Sequence, residues 1–209
     1  MHTKPWRLDD AEAIAAAAKY TFYKPSRYVL DKLEVGNLVK LIFTFDNADP
    51  QQPNAERMWV IITEKSNGKF VGTLDNEPFF IKDLNHGDTI EFEEKNIINS
   101  DLDEVEPSLV DKYIHRCLAS NKILVEGCKV KYLIREESLG EYRDGIVDSG
   151  WRILAGDESH EYLDDPENTQ FVSLGAILNK DETILELLDE PLGAAFEWLD
   201  ELNRFERVS

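Results

Sequence analysis

Apolar residues first recur at helical spacing and then switch to runs and two-residue alternations, and this change of period divides the chain into elements. Leu8–Tyr20 opens on Asp9-Asp10 and runs through an alanine-rich stretch, with Ile14, Ala17, Ala18 and Phe22 on one stripe. Aspartate at such a start caps a helix and complements its dipole, and alanine is the best helix former. A helix is therefore predicted here, closed by Pro25. From Gly36 the pattern is strand-like. Leu38–Phe45 is rich in β-branched and aromatic residues. Met58–Thr63, Phe70–Leu74, Phe79–Ile81 and Thr89–Phe92 follow as short strands. A loop over Asp46–Asn54 and turns at Ser66-Asn67-Gly68, Asp75–Pro78 and His86-Gly87-Asp88 separate them. Asn and Gly accept positive φ, which suits the tight hairpin at 66–68. Short strands at this spacing predict a strongly bent antiparallel sheet or partial barrel behind the N-terminal helix.

Asp101–Glu106 is acidic and aperiodic, the pattern of a linker. Pro107 fits the first position of a helix, and Leu109, Val110, Tyr113, Ile114, Cys117 and Leu118 continue at helical spacing through Ala119, with Asn121 as terminator. Val130–Ile134, Trp151–Ala155 and Gln170–Leu174 predict strands, and Ala176–Asn179 a short helix. Thr183–Leu188 and Leu192–Leu202 close the chain, the latter with Phe196 and Leu199 on one face. The expected class is α+β in two small units. Residues 1–104 form a helix plus bent sheet or partial barrel, and residues 105–209 an antiparallel sheet with helices.

Composition adds a partner class. Forty-two acidic residues face 23 basic ones, a formal charge of −19, and both units share the excess. Nucleic-acid binding needs a basic footprint, so this class is set aside. The charge is densest between Glu141 and Glu167, where nine acids stand against Arg143 and Arg152, a local charge of −7. Such a surface attracts basic proteins or cations. Charge alone also describes a solubilising face. Tyr142, Trp151 and Tyr162 interleave with the acids, however, and aromatic side chains anchor protein interfaces. Trp59, Trp151 and Trp198 equally suit the filling of two small cores, while Trp151, after the turn Asp148-Ser149-Gly150, can also frame an exposed aromatic patch.

Catalytic spacings are thin. There is no GxSxG elbow, no P-loop lysine motif and no GxGxxG. Ser149 reads as a turn residue with no base nominated for it. His2, His86, His115 and His160 lack partners at zinc spacing. Asp157, Glu158 and Glu161 surround His160 without the D-x-D-x-D-G order of a calcium loop. No catalytic residue, cofactor or metal ligand is assigned. The N-terminus lacks the apolar core of a signal peptide, and Ala13–Ala18 and Leu41–Phe45 fall far short of the ~20 residues that span a bilayer. With Cys117 and Cys128 read as reduced thiols, a cytoplasmic protein that neither enters membranes nor binds nucleic acid is expected.

Two stretches carry resemblances. Arg135-Glu136-Glu137, Asp148-Ser149-Gly150-Trp151, Gly156-Asp157-Glu158, Glu161-Tyr162, Asp165-Pro166-x-Asn168 and Asp189-x-Pro191-x-Gly193-x-Ala195-Phe196-Glu197 resemble immunity protein family 33 of polymorphic-toxin systems, also described as domain of unknown function 2185. Glu56-x-Met58-Trp59-Val60, Gly72-x-Leu74-x-Asn76-x-Pro78 and Leu84-x-x-Gly87-Asp88-x-Ile90-x-Phe92, followed by Ile97, resemble domain of unknown function 2314. The first resemblance implies a non-enzymatic protein that binds a cognate toxin, and the acidity suits a basic toxin domain. The expected contact residues are Asp148, Trp151, Asp157, Glu158, Glu161, Tyr162, Asp164 and Asp165. A binding module unrelated to toxins is the alternative, with the N-terminal barrel as a peptide or ligand platform. A third reading is a metal-dependent hydrolase built on the acids of 157–165.

Overall fold

A computed structural model describes residues 5–47 and 51–208. Residues 48–50, inside the loop expected over Asp46–Asn54, lie outside the described residues, as do Met1–Lys4. The chain divides into two compact units: Met1–Ala18 with Phe22–Ser108, and Lys19–Thr21 with Leu109–Ser209.

The first unit contains β1 (Trp6–Leu8), α1 (Ala11–Ala17), α2 (Arg27–Lys32), β2 (Leu38–Phe45), β3 (Ala55–Ser66), β4 (Lys69–Leu74), β5 (Thr89–Glu93) and β6 (Ile97–Ser100). The sheet runs β1-β2-β3-β4-β5 and is antiparallel throughout. With β3 on one side, β2 shares its other side between β1, opposite residues 43–45, and β6, opposite residues 39–41. That sharing curls the sheet into a nearly closed barrel, as the strand spacing predicted. Val39, Leu41, Phe43, Val60, Ile62, Leu74, Ile90 and Ile97 fill it. α1 starts where Asp10 accepts hydrogen bonds from the Glu12 and Ala13 amides, so the predicted helix exists but is shorter than its apolar stripe. The segment Phe79–Ile81 is not a strand: its three backbone amides donate to the carboxylate of Glu56 at 2.7–3.1 Å, leaving no ladder to join.

The second unit contains α3 (Leu109–Lys112), β7 (Arg116–Ser120), α4 (Asn121–Leu124), β8 (Tyr132–Arg135), β9 (Glu141–Arg143), β10 (Ile146–Leu154), α5 (His160–Asp164), β11 (Thr169–Ser173), α6 (Leu174–Leu178), β12 (Ala195–Leu199) and β13 (Arg204–Val208). Its sheet runs β11-β7-β10-β8-β12-β13, with β9 added to the start of β10, and is antiparallel except for the parallel pair β7–β10. The helix expected from Pro107 to Ala119 stops at Lys112. Cys117 and Ala119 instead point inward from β7, where pairing on both sides overrides the local periodicity. Within Leu192–Leu202 the residues Ala195–Leu199 form strand β12, and the chain turns at Asn203 (φ 50°) into β13.

Candidate functional site

The acidic segment begins at Glu141 on β9 and continues through β10, the strand between β7 and β8. Between Asp148 and Arg152 its register against β7 shifts: Asp148 faces Arg116 and Arg152 faces Leu118. Gly150 occupies this bulge at φ +81°, and a Cβ there would lie 2.2 Å from the Glu136 carbonyl oxygen, so no other residue fits without moving backbone. Asp148 is 2% exposed. Its carboxylate accepts from both terminal guanidinium nitrogens of Arg152 at 2.9 and 3.0 Å and from the Leu139 and Gly150 amides, while Arg152 Nε donates to Glu136 at 3.2 Å. Burial alone would raise its pKa. The Arg152 hydrogen bonds and these two amides outweigh that and hold it below the usual aspartate range. Ser138 Oγ donates to the Asp148 carbonyl at 2.6 Å, so the whole cluster pins the 136–140 loop onto β10.

Trp151 is 0% exposed, with its indole N–H donating to the Leu188 carbonyl at 3.2 Å. Of the eight expected contact residues, the structure places Asp148 and Trp151 in the interior. Both are already enclosed by their own unit, the acid by its ion pair and the indole by the core cluster around Leu133, Ile153 and Ile177. Such groups have no free surface to bury against a second protein.

Beyond β10 the chain leaves the sheet. Glu158 is half-buried, its two oxygens accepting the Ala155 and Gly156 amides at 2.8 Å each. It closes a turn and offers little charge outward. Asp157 is exposed but paired with Lys122 at 2.9 Å, and that hydrogen bond lowers the acid's pKa while raising the lysine's. The Lys122 ammonium also lies 5.4 Å from the centre of the Tyr162 ring. Tyr162 itself is half-buried, and its hydroxyl is enclosed without a hydrogen bond to protein. Ser159 caps α5 through the Tyr162 amide, Asp165 caps a 3-10 turn over Pro166–Asn168, and the Asn168 side chain donates to the Tyr162 carbonyl.

Glu161, Asp164, Asp165 and Glu167 are exposed on this excursion, next to the partly exposed Leu163. Among the described residues no ion pair reaches any of these four acids, and no Lys or Arg lies between 157 and 167. Of the eight residues read from the sequence, the structure therefore brings Asp157, Glu161, Tyr162, Asp164 and Asp165 together on α5 and its flanks, with Glu158 holding the turn behind them. Glu167 joins them. It was legible as part of the acidic count but not as a surface residue, because the 3-10 turn that exposes it follows from the Asp165 cap.

Two concavities have no counterpart in the sequence reading. One, of about 430 Å³, opens in the second unit beside His115, Arg135, Ser138, Glu141 and Ser149. The other, of about 570 Å³, lies in the first unit between β1 and β5, over Leu8, Phe70, Val71 and Phe92. Each gathers residues from strands distant in sequence, so spacing carries no signal for it. Among the described residues no group of three His, Cys, Asp or Glu is placed to hold a metal ion, and no helix is long and apolar enough to cross a membrane.

The second sheet, its bulge and its acidic excursion coincide with a family domain. Residues 117–209 match the immunity protein Imm33 domain. Residues 8–103 match the family described as uncharacterized protein conserved in bacteria (DUF2314). Both are the families that the motifs resemble. Comparison with curated proteins and with solved structures finds no match to this chain. Within residues 117–209 the resembling motifs are mainly turn and cap chemistry: Gly150 makes the bulge, Glu158 and Asp165 receive amides, and Asn168 ties back to Tyr162.

Proposed function

We propose that this protein is an immunity protein that binds a cognate bacterial toxin and blocks it by occlusion, without catalysis, through the exposed acids of α5 and the turn after it. The match of residues 117–209 to the Imm33 domain supports the immunity role. The choice of surface is supported by charge that the fold leaves unpaired: Glu161, Asp164, Asp165 and Glu167 lie within seven residues. A basic toxin domain is the partner such a surface draws in, since unpaired exposed charge accelerates encounter. Leu163 and the exposed edge of Tyr162 supply apolar contact among the acids.

The test is co-expression with a toxin domain that the full chain captures from its native cell. Growth protection by the parent and its loss in a Glu161→Lys/Asp164→Lys variant of normal abundance support the proposal. Full protection by that variant moves the interface elsewhere.

One observation favours the alternative of a peptide-binding barrel. The 570 Å³ groove of the first unit has an apolar floor, and its flanking strands β1 and β5 each pair with a single neighbour. An edge strand beside an apolar floor suits an extended peptide with alternating apolar side chains. A displayed random-peptide library selected on the full chain should enrich such sequences, and Val71→Arg should abolish their capture. Enrichment indifferent to this substitution removes the groove as the platform.

A further inference from the structure

Three residues from the N-terminal part of the chain belong to the second unit. Lys19–Thr21 leaves the first unit after Ala18 and returns to it at Phe22. Tyr20 is 2% exposed and lies in the same core cluster as Trp151, Leu133 and Ile177. Its ring meets that of Tyr113 edge-on at 5.5 Å. The contact is also polar and two-sided. Asn179, just after α6, accepts the Tyr20 amide at 3.0 Å on its side-chain oxygen and donates its side-chain nitrogen to Thr21 Oγ at 2.7 Å. Lys19 pairs with Glu182 at 3.1 Å.

Gly175 completes the seat. A Cβ at this position would lie 2.3 Å from the Tyr20 carbonyl oxygen, so the first turn of α6 is shaped to let this backbone pass. A single Asn that serves both an amide and a hydroxyl, beneath a glycine with room only for backbone, is a fitted seat. Incidental packing of a loop does not require either.

We infer that Lys19–Thr21 is a strap that completes the Imm33 unit, so that the order of the unit around α6 depends on residues nearly one hundred positions before the matched region. The strap is held closed at its own base: the Phe22 amide donates to the Ala18 carbonyl at 2.8 Å, and Ile14 and Phe22 pack on the Ala11, Ile42 and Ile98 cluster of the first unit. Tyr20 is thus presented on a preformed turn, which lowers the entropy lost on seating it. The strap acts as the missing core residue of a domain whose family boundary excludes it.

Hydrogen exchange on the full chain tests this. Tyr20→Ala should speed exchange of the amides in 113–119 and 174–188 by about tenfold or more, because opening of that region no longer has to unseat a buried ring. The amides of β2, β3 and β4 should keep the parent rate. Tyr20→Phe should stay near the parent, since it retains the ring. Asn179→Ala provides the milder arm if Tyr20→Ala does not fold, and should accelerate the same two segments to a lesser degree. Unchanged exchange at 174–188 in Asn179→Ala, or equal acceleration in both units, overturns the strap.

Discussion

Two stretches of the second unit read alike as sequence, acidic residues mixed with an aromatic, yet the fold treats them in opposite ways. In Asp148-Ser149-Gly150-Trp151 the acid is ion-paired and enclosed, the glycine makes a bulge and the indole fills the core. In the stretch from Asp157 to Glu167 only Asp157 finds a basic partner among the described residues, and Glu161, Asp164, Asp165 and Glu167 remain exposed. The difference lies in what surrounds each acid. Arg152 sits four residues from Asp148 on the same strand, whereas the excursion contains no Lys or Arg to pair with its acids. A charge advertised in the sequence is available to a partner only when the chain has not already used it.

Four measurements break or sharpen this contrast. The largest effect is expected at Trp151: Trp151→Ala should lower unfolding free energy by about 3–5 kcal/mol in urea titration, as loss of a fully buried large aromatic does. A change below about 1 kcal/mol, typical of surface substitutions, would return Trp151 to the list of interface anchors.

Next comes Asp148→Asn, which removes the buried half of the Arg152 ion pairing and leaves Arg152 only Glu136, and should destabilise by about 2–4 kcal/mol at neutral pH. Its pH dependence has a definite sign. The folded pKa of Asp148 is depressed, so its stabilisation is fully present above the unfolded value of 3.8 and is lost as pH falls through the lower, folded one. The parent should therefore lose its advantage over Asp148→Asn in acid below that value. A gap constant with pH would show that the carboxylate charge is not what stabilises the loop.

The exposed stretch should behave in reverse. Glu161→Lys/Asp164→Lys should alter stability by no more than ~0.5 kcal/mol, yet slow association with a basic partner about tenfold at low salt and flatten its salt dependence. Surface plasmon resonance at two ionic strengths separates these outcomes. A loss of stability comparable to that of Asp148→Asn would mean the excursion also serves the fold.

The smallest effect is chemical. Burial, with the nearby Asp148 carboxylate adding to it, pushes the Cys117 thiol up to about 12, whereas Cys128 is exposed. Native protein at mildly alkaline pH should take up one equivalent of alkylating reagent, at Cys128, and mass mapping should show Cys117 unmodified until the unit unfolds.

Much of the fold was legible because local chemistry and final structure agree. The β3–β4 hairpin follows from Asn67 and Gly68, which both take positive φ, and α1 follows from Asp10 and the alanines after it. Legibility failed where pairing with distant residues decided the outcome. Cys117 and Leu118 continue the helical spacing of Leu109, Val110, Tyr113 and Ile114, so the local pattern favours a helix. What makes them a strand is β10, some thirty positions later, together with β11. For the site, sequence located the acids but could not tell Asp148 from Asp164. That distinction depends on the β10 bulge and on the amides of Leu139 and Gly150 that converge on one carboxylate. Tyr20 was legible only as part of a helix end, because its neighbours in space, Tyr113, Gly175 and Asn179, come from far along the chain.

The glycine beneath Tyr20 bears on how such chains are assembled in evolution. A recombination junction at residues 104–106 looks harmless, since it falls between the two family matches. A new N-terminal partner joined there would nevertheless bring no tyrosine for the seat that Gly175 and Asn179 keep open. The C-terminal half would be inherited with a vacancy in its interior. Lineages that exchange this half as a cassette should therefore either carry an equivalent aromatic turn upstream or show a bulkier residue at position 175 that closes the opening from within.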